Sequence, residues 1–265
     1  MVICINNIKT SDLNSIGLSQ TSKGVLLKWN TKNYYYKSGS LHYGVFNKTQ
    51  PVVESICSKI RTLLGFTGVD YNLEIVKSDG TDQFEPQEIL CCVSRNFLKC
   101  DETLITFAKH YKSFKGTLTY DKLISDFKEF EEEINQTLIF DFIVNNIDRH
   151  YNNFGYIING SRKYCPIFDN GLSLYSDLTS DDLMNINKKP YLNKRFDKSK
   201  PFSQKHISQI KLINNLPKIN LYATNEEFIN IIKEYECYLG KERYIAMCNL
   251  LKERLDYVRK LYSNV

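Results

Sequence analysis

Apolar positions along the first hundred residues follow two rhythms. Val25-Leu26-Leu27-Lys28-Trp29 and Tyr34-Tyr35-Tyr36-Lys37 are short runs rich in aromatic and branched side chains. Such side chains suit a pleated, half-buried surface, and the Asn30 to Asn33 interval between the runs predicts a hairpin turn. From Pro51 the rhythm changes, with Val53, Ile56, Ile60, Leu63 and Leu64 recurring three and four residues apart. That spacing lines one face of a helix, with Pro51 suited to its first turn and Gly65 to its end. Tyr71 to Val76 and Glu88 to Val93 return to strand-like runs. Further on, Leu123, Phe127, Phe130, Ile134, Leu138 and Phe142 predict one long helix over residues 121–146. A β segment is expected from Phe154 to Phe168. Thr224 to Glu227 forms a capping-box sequence ahead of Phe228, Ile231, Ile232 and Tyr235. A last helix is expected from Lys241 to Tyr262, with Ile245, Leu251, Leu255 and Val258 on its apolar side.

Strands first and helices afterwards predict an α+β chain of two unequal lobes. The β-rich lobe would span residues 1–95 and the mainly helical lobe residues 96–265, with a ligand site in the cleft between them. Composition agrees with a globular protein: 42% apolar and 25% charged residues in a chain of 265, enough for a sizeable core without staples. No apolar run approaches the roughly 20 residues of a membrane span, and the longest, Thr137 to Val144, is interrupted by Asp141. The first seven residues lack the basic start and long apolar core of a signal peptide, so a cytoplasmic protein is expected. Eight cysteines include no C-x-x-C pair, and the four histidines offer no metal-binding pair. Reduced thiols are therefore expected, and a zinc enzyme is disfavoured. The net charge of +5 comes from 27 Lys and only 8 Arg, beside 25 Asn and 3 Ala, a skew of composition more than a signature. Its location is more telling. Residues 188–205 alone carry +6, leaving −1 for the other 247.

The chemistry concentrates in Asn146-Ile147-Asp148-Arg149-His150-Tyr151-Asn152-Asn153-Phe154-Gly155 and in Pro166-Ile167-Phe168-Asp169-Asn170-Gly171. Between them, Gly155 to Ile158, an Asn159-Gly160 turn and Tyr164 to Phe168 predict a hairpin. A hairpin returns its ends to one side, which brings Asp148 and Asn153 near Asp169. Few carboxylate and amide oxygens, with phosphate and water filling the remaining positions, are what Mg²⁺ takes. The interval of five from Asp148 to Asn153 equals that of H-R-D-x-x-x-x-N in protein kinases, with D-N-G in the place of D-F-G.

These two motifs resemble the HipA-like serine/threonine kinases, a bacterial branch whose fold is similar to that of phosphatidylinositol kinases. The resemblance extends over residues 11–215, and the short chain is most similar to the compact, cell-translocating kinases of that family. Lys200-Pro201-Phe202, with His206 and Gln209 after it, is similar to a downstream signature of the family. The resemblance implies a two-lobed kinase fold that uses ATP and Mg²⁺. It implies that Asp148 accepts the proton of the attacking hydroxyl and that His150 shapes the loop as a hydrogen-bond partner. Asn153 and Asp169 would hold Mg²⁺ on the ATP phosphates, and Lys37, held by Glu54, would contact the α- and β-phosphates. The backbone of Val93 and Ser94 would meet the adenine. Ser15 to Gly24, with Ser19 inside it, keeps part of the family's phosphate loop and is expected to be a loop offering N–H groups to phosphates. Autophosphorylation, and an antitoxin or host-protein partner reached by translocation, belong to the same expectation. The basic segment 188–205 would be a platform for an acidic protein segment, for phosphate groups or for a nucleic-acid-bound substrate. Two other functions fit these residues: a lipid kinase sharing D-R-H-x-x-N, and a nucleotide-binding module without catalysis.

Overall fold

A computed structural model of the chain describes residues 8–21, 24–188 and 197–263. Strands β1 (Asn14–Thr21), β2 (Gly24–Asn30) and β3 (Tyr34–His42) form an antiparallel meander. β5 (Asn72–Ser78) and β6 (Gln87–Arg95) complete the sheet in the order β1-β2-β3-β6-β5, and the short β4 (Val45–Phe46) pairs with β3. Helix α1 (Thr49–Leu63) crosses from β4 to β5 and ends at Gly65, whose φ of +80° permits the turn. Its Val52, Val53, Ile56 and Ile60 are completely buried, and the cluster they join reaches the helical part of the molecule.

After β6 a second antiparallel sheet is built from β7 (Thr103–Thr106), β8 (Gly155–Asn159) and β9 (Ser161–Tyr164). The Asn159-Gly160 turn is present with only Gly160 between the strands, but the return strand is Ser161–Tyr164 and not the expected Tyr164 to Phe168. Helices α2 (Phe107–His110), α3 (Tyr120–Asp126) and α4 (Glu131–Val144) precede it in the chain or run alongside it. α5 (Ser180–Lys188), α6 (His206–Ile210), α7 (Asn225–Lys233), α8 (Glu236–Leu239) and α9 (Lys241–Ser263) make up the rest. This is the predicted α+β arrangement, an antiparallel sheet region followed by a helical one. Among the described residues, no helix is long and apolar enough to cross a membrane. The seven cysteines among the described residues are free thiols.

The pattern misled elsewhere too. The single helix expected over 121–146 is two, separated by a 3₁₀ turn at Lys128–Phe130. Phe127 leaves helical geometry (φ −133°, ψ 50°) and packs its ring against Phe107 and Phe130. Packing overrides the 3.6-residue rhythm there. The Ser15 to Gly24 stretch is not a loop: nearly all of it is paired strand in β1 and β2. Its Ser22–Lys23 tip lies outside the described residues, as does the Ser19 side chain, so the phosphate-loop expectation lies mostly beyond what is described. β7, which pairs with β8, has no counterpart among the expected strands. Ile245, placed on the apolar side of the last helix, is 36% exposed.

Candidate active site

The loop carrying Asp148 is shaped by the end of α4. Asn145 caps that helix in the left-handed region (φ 52°), a conformation that Asn adopts at modest cost. Asn146 then donates to Asp141 Oδ1 at 2.9 Å and accepts from the Asp148 backbone N–H at 3.0 Å. Arg149 is the centre of the arrangement and is fully buried. Its Nε and Nη2 donate to the two carboxylate oxygens of Asp141, both at 2.9 Å. Nη1 donates to the carbonyls of Asn153 and Phe168, and Nη2 also reaches Asn170 Oδ1 at 2.7 Å. All five guanidinium N–H groups are thereby used. Burial alone would lower Arg149, and the facing Asp141 charge raises it, so it stays a cation. One side chain thus fastens α4 and both halves of the motif.

A second buried charge performs the same service from the sheet. Glu54, on α1 and fully buried, accepts from Lys37 Nζ at 2.7 Å and from the Asn170 backbone N–H at 2.8 Å. Gly171 leaves room beside it, since a Cβ there would stand a tight 3.2 Å from Glu54 Oε1. Lys37 also forms an ion pair with Asp169, whose φ is +60°. Burial would raise the Asp169 carboxyl, yet Lys37 and then Lys28 outweigh it and hold it well below the usual carboxylate range. Burial would likewise lower Lys37, and Asp169 and Glu54 override it, so its ammonium is held well above its ordinary value.

Two cavities open on this cluster. One, of about 300 Å³, is lined by Tyr35, Tyr36, Tyr71, Phe97, Leu98, Leu104 and Phe168, with Lys37 and Asp169 at one side. Its flat aromatic and aliphatic walls suit a nucleobase. Ser94 lines it, followed by Arg95 and Asn96, but Val93 does not. Val93 pairs with Tyr36 on one side and Asn72 on the other, so its backbone is committed to the sheet. β5 pairing ends at Val93, and the backbone free to meet a base begins at Ser94. The second cavity, of about 400 Å³, gathers Lys28, Lys37, Asp148, His150, Asn153 and Asp169.

Five of the expected residues, Lys37, Asp148, His150, Asn153 and Asp169, therefore share one chamber, with Glu54 directly behind them. Asn153 Nδ2 donates to the Asp148 carbonyl at 3.2 Å, leaving its amide oxygen without a protein partner among the described residues. That oxygen and Asp169 form a two-ligand set suited to Mg²⁺ with phosphate. No group of three or more His, Cys, Asp or Glu side chains able to hold a metal exists among the described residues. His150 does not shape the loop by side-chain hydrogen bonding as expected. Its Nδ1 has no partner among the described residues, its Nε2 lies 3.8 Å from Asp148 Oδ2, and the loop is held instead by its backbone. Lys28 was missed: it stands directly opposite Lys37 across β2 and β3. Two like charges so placed repel each other, an arrangement that a phosphate chain would relieve. A lysine opposite a nucleotide lysine in a hairpin was the available signal. Asp141, the one charge in an apolar helix run, was the signal for Arg149.

A sheet region, a strand that hands over to a helical region, and an acid-and-lysine cluster in the cleft define the fold of a two-lobed kinase. No family model matches the chain, and no curated protein matches it in sequence. Among solved structures it is similar to the Helicobacter pylori proinflammatory kinase CtkA, with a TM-score of 0.68 and 16% identity over 98% of this chain and 99% of that one. HipA of the Shewanella oneidensis MR-1 toxin–antitoxin system, solved with HipB and operator DNA, overlaps with a TM-score of 0.42 and 12% identity, over 94% of this chain and 66% of that one. At these identities the likeness is one of fold.

Proposed function

We propose that the chain is an ATP- and Mg²⁺-dependent kinase that phosphorylates serine or threonine hydroxyls of proteins, itself included. The observation that carries this reading is the convergence of Lys28, Lys37, Asp148, Asn153 and Asp169 on one chamber beside an aromatic-walled cavity. Bound Mg²⁺ would neutralise charge on the phosphates, and Asn153 and Asp169 are the residues that would hold it. Lys37, kept charged and oriented by Glu54, would draw the α- and β-phosphates, with Lys28 beside it. Asp148 would orient the acceptor hydroxyl and take its proton as the new O–P bond forms. The bond from the γ-phosphorus to its bridging oxygen breaks at the same time, and the electron pair leaves with ADP. Alignment and charge supply most of the rate in such a transfer, and this cluster supplies both.

The test is transfer of label from γ-labelled ATP to protein, with a map of the phosphorylated residues. Wild type should transfer to protein and not to phosphatidylinositol vesicles. Asp148→Asn and Asp169→Asn should each lose about 10²-fold or more of that activity, the scale for a positioned base or a charge clamp. Equal transfer by all three proteins would show that the site is elsewhere.

A further inference from the structure

Asp148 is a wall shared by two chambers. On one side lies the chamber already described; on the other is a cavity of about 440 Å³ lined by Ile147, Asp148, Leu172, Ser199 and Lys200 among others. The residues that follow Asp148 in the chain do not fix its carboxylate. Arg149 turns inward to Asp141, and His150 Nε2, at 3.8 Å from Oδ2, is beyond hydrogen-bond reach. Among the described residues, the one hydrogen bond to that carboxylate comes from 52 residues away: Lys200 Nζ donates to Oδ1 at 2.7 Å.

The meeting of these two segments is built from both ends. Upstream, Arg254 Nη2 of α9 donates to Asn145 Oδ1 at 3.1 Å and to Asp197 Oδ1 at 2.8 Å. Asn145 lies three residues before Asp148, Asp197 lies three before Lys200, and Arg254, Asn145 and Asp197 are all buried. Downstream, the Phe202 ring meets the Tyr151 ring edge-on, with centroids 5.9 Å apart. Phe202 packs in the same way on Tyr120. Gln209, fully buried, fixes the Lys200 backbone, donating to its carbonyl at 2.9 Å and accepting from the Phe202 N–H at 3.0 Å. Three bridges in step therefore join the two segments, and the middle one is the Lys200–Asp148 pair. Stability is a poor account of that middle bridge. Its side chains are 53% and 33% exposed, and ion pairs so open to water contribute little. The outer bridges hold the segments together without it.

We propose that Lys200 is a positioning residue for phosphate transfer, acting through Asp148. The inference rests on the kinase reading above and adds a residue to its machinery. The torsion that turns an aspartate carboxylate is broad, so an untethered one samples many orientations. With Oδ1 held on a fixed ammonium, Oδ2 is the oxygen left for the acceptor hydroxyl, on the side of His150, which lines the phosphate chamber. As the hydroxyl oxygen bonds to the γ-phosphorus, its proton passes to Oδ2 while Oδ1 stays on Lys200. Lys200 itself lines neither the aromatic-walled cavity nor the phosphate chamber, so its loss leaves nucleotide binding intact.

The experiment follows label from γ-labelled ATP into the chain itself and into a mixed pool of serine and threonine peptides, using the full chain with Mg²⁺. Lys200→Ala and Lys200→Met should each lower kcat by about 10- to 10²-fold, the scale of a lost orientation, with KM for ATP within about twofold of wild type. Affinity for a non-hydrolysable ATP analogue should hold equally, and thermal melts should change little. Lys200→Arg keeps a charged donor for a single hydrogen bond and should recover to within about threefold of wild type. In an Asp148→Asn background, Lys200→Ala should cost less than about twofold more, because no carboxylate is left to orient. An equal loss in the two backgrounds would overturn the proposal, since it marks a structural role. Lys200→Ala as active as wild type would overturn it too, and a more active variant would make the pair a brake. A loss carried by KM for ATP would overturn it by making Lys200 a phosphate ligand. In each of those cases wild type still transfers phosphate and the kinase reading stands. If wild type labels neither itself nor any peptide, that reading fails and this inference falls with it.

Discussion

Arg149 spends five hydrogen bonds on holding other groups in place, which separates its expected phenotype from that of its neighbour Asp148. Removing Asp141 would strand a buried guanidinium, and breaking a buried pair in this way costs about 3–5 kcal/mol. Asp141→Ala should therefore lower the unfolding free energy by that amount in denaturant titrations. Asp148, one-third exposed and ion-paired with Lys200, should tolerate Asn within about 1 kcal/mol while losing phosphate transfer. Lys28→Ala should raise KM for ATP several-fold in steady-state kinetics, in the same direction as Lys37→Ala and by less, since Lys37 is the one fixed by Glu54. Asp148, Asn153 and Asp169 were legible because a fixed spacing and a hairpin put them together. Arg149 and Lys28 were not, because what matters about them is which groups lie opposite in space. A sequence shows the interval along the chain and not the partner across a sheet or beneath a helix.

At the scale of elements, the most consequential link is the one α1 makes between sheet and helical region. Glu54 receives Lys37 from β3 and the Asn170 N–H from the D-N-G turn. Glu54→Gln keeps an acceptor for the N–H but gives up the charge opposite Lys37. Turnover should drop by about tenfold or more while the melting temperature changes little, measured in parallel on one preparation. A simpler check of local structure is the capping box of α7. Thr224 Oγ1 accepts from the Glu227 N–H, and Glu227 accepts from the Thr224 N–H at 2.8 Å. Thr224→Ala should cost about 1 kcal/mol of unfolding free energy. Elements with local signals, such as this helix, α1 and the β8–β9 hairpin, could be read from the chain. The break between α3 and α4 was harder, since the apolar rhythm runs through it without interruption. Three consecutive glutamates at Glu131 to Glu133 mark the restart, where a helix N-terminus favours negative charge. β7 lacked any such mark, because its existence depends on β8, which arrives about fifty residues later.

Over the whole molecule, buried polar groups collect where α4, α6 and α9 meet. His206 is completely buried there, and burial, reinforced by Arg254, holds its imidazole well below the ordinary value. Its neutral form is the folded form. The stability this contributes is fully present above the unfolded value of about 6.5 and is lost as pH falls from there towards the lowered folded value. Unfolding free energy should decline between pH 7 and pH 5, by up to about 1.4 kcal/mol for each pH unit from this one group. His206→Met should flatten that slope in denaturant titrations at both pH values. None of this was legible beforehand. His206 stood out only through its place after Lys-Pro-Phe, and its burial follows from how distant segments meet.

Because Asp148 forms part of both chambers, whatever fills one has its reactive end within reach of whatever fills the other. A single compound that joins an adenine nucleotide to a hydroxyl-bearing peptide through a short tether would occupy both without crossing bulk solvent. Its second half would bind at the effective concentration set by the tether, commonly millimolar for a short flexible one. Such a ligand should bind more tightly than either half by orders of magnitude, and the gain should vanish for a tether too short to pass Asp148. The dividing wall would then serve as a ruler for inhibitor length.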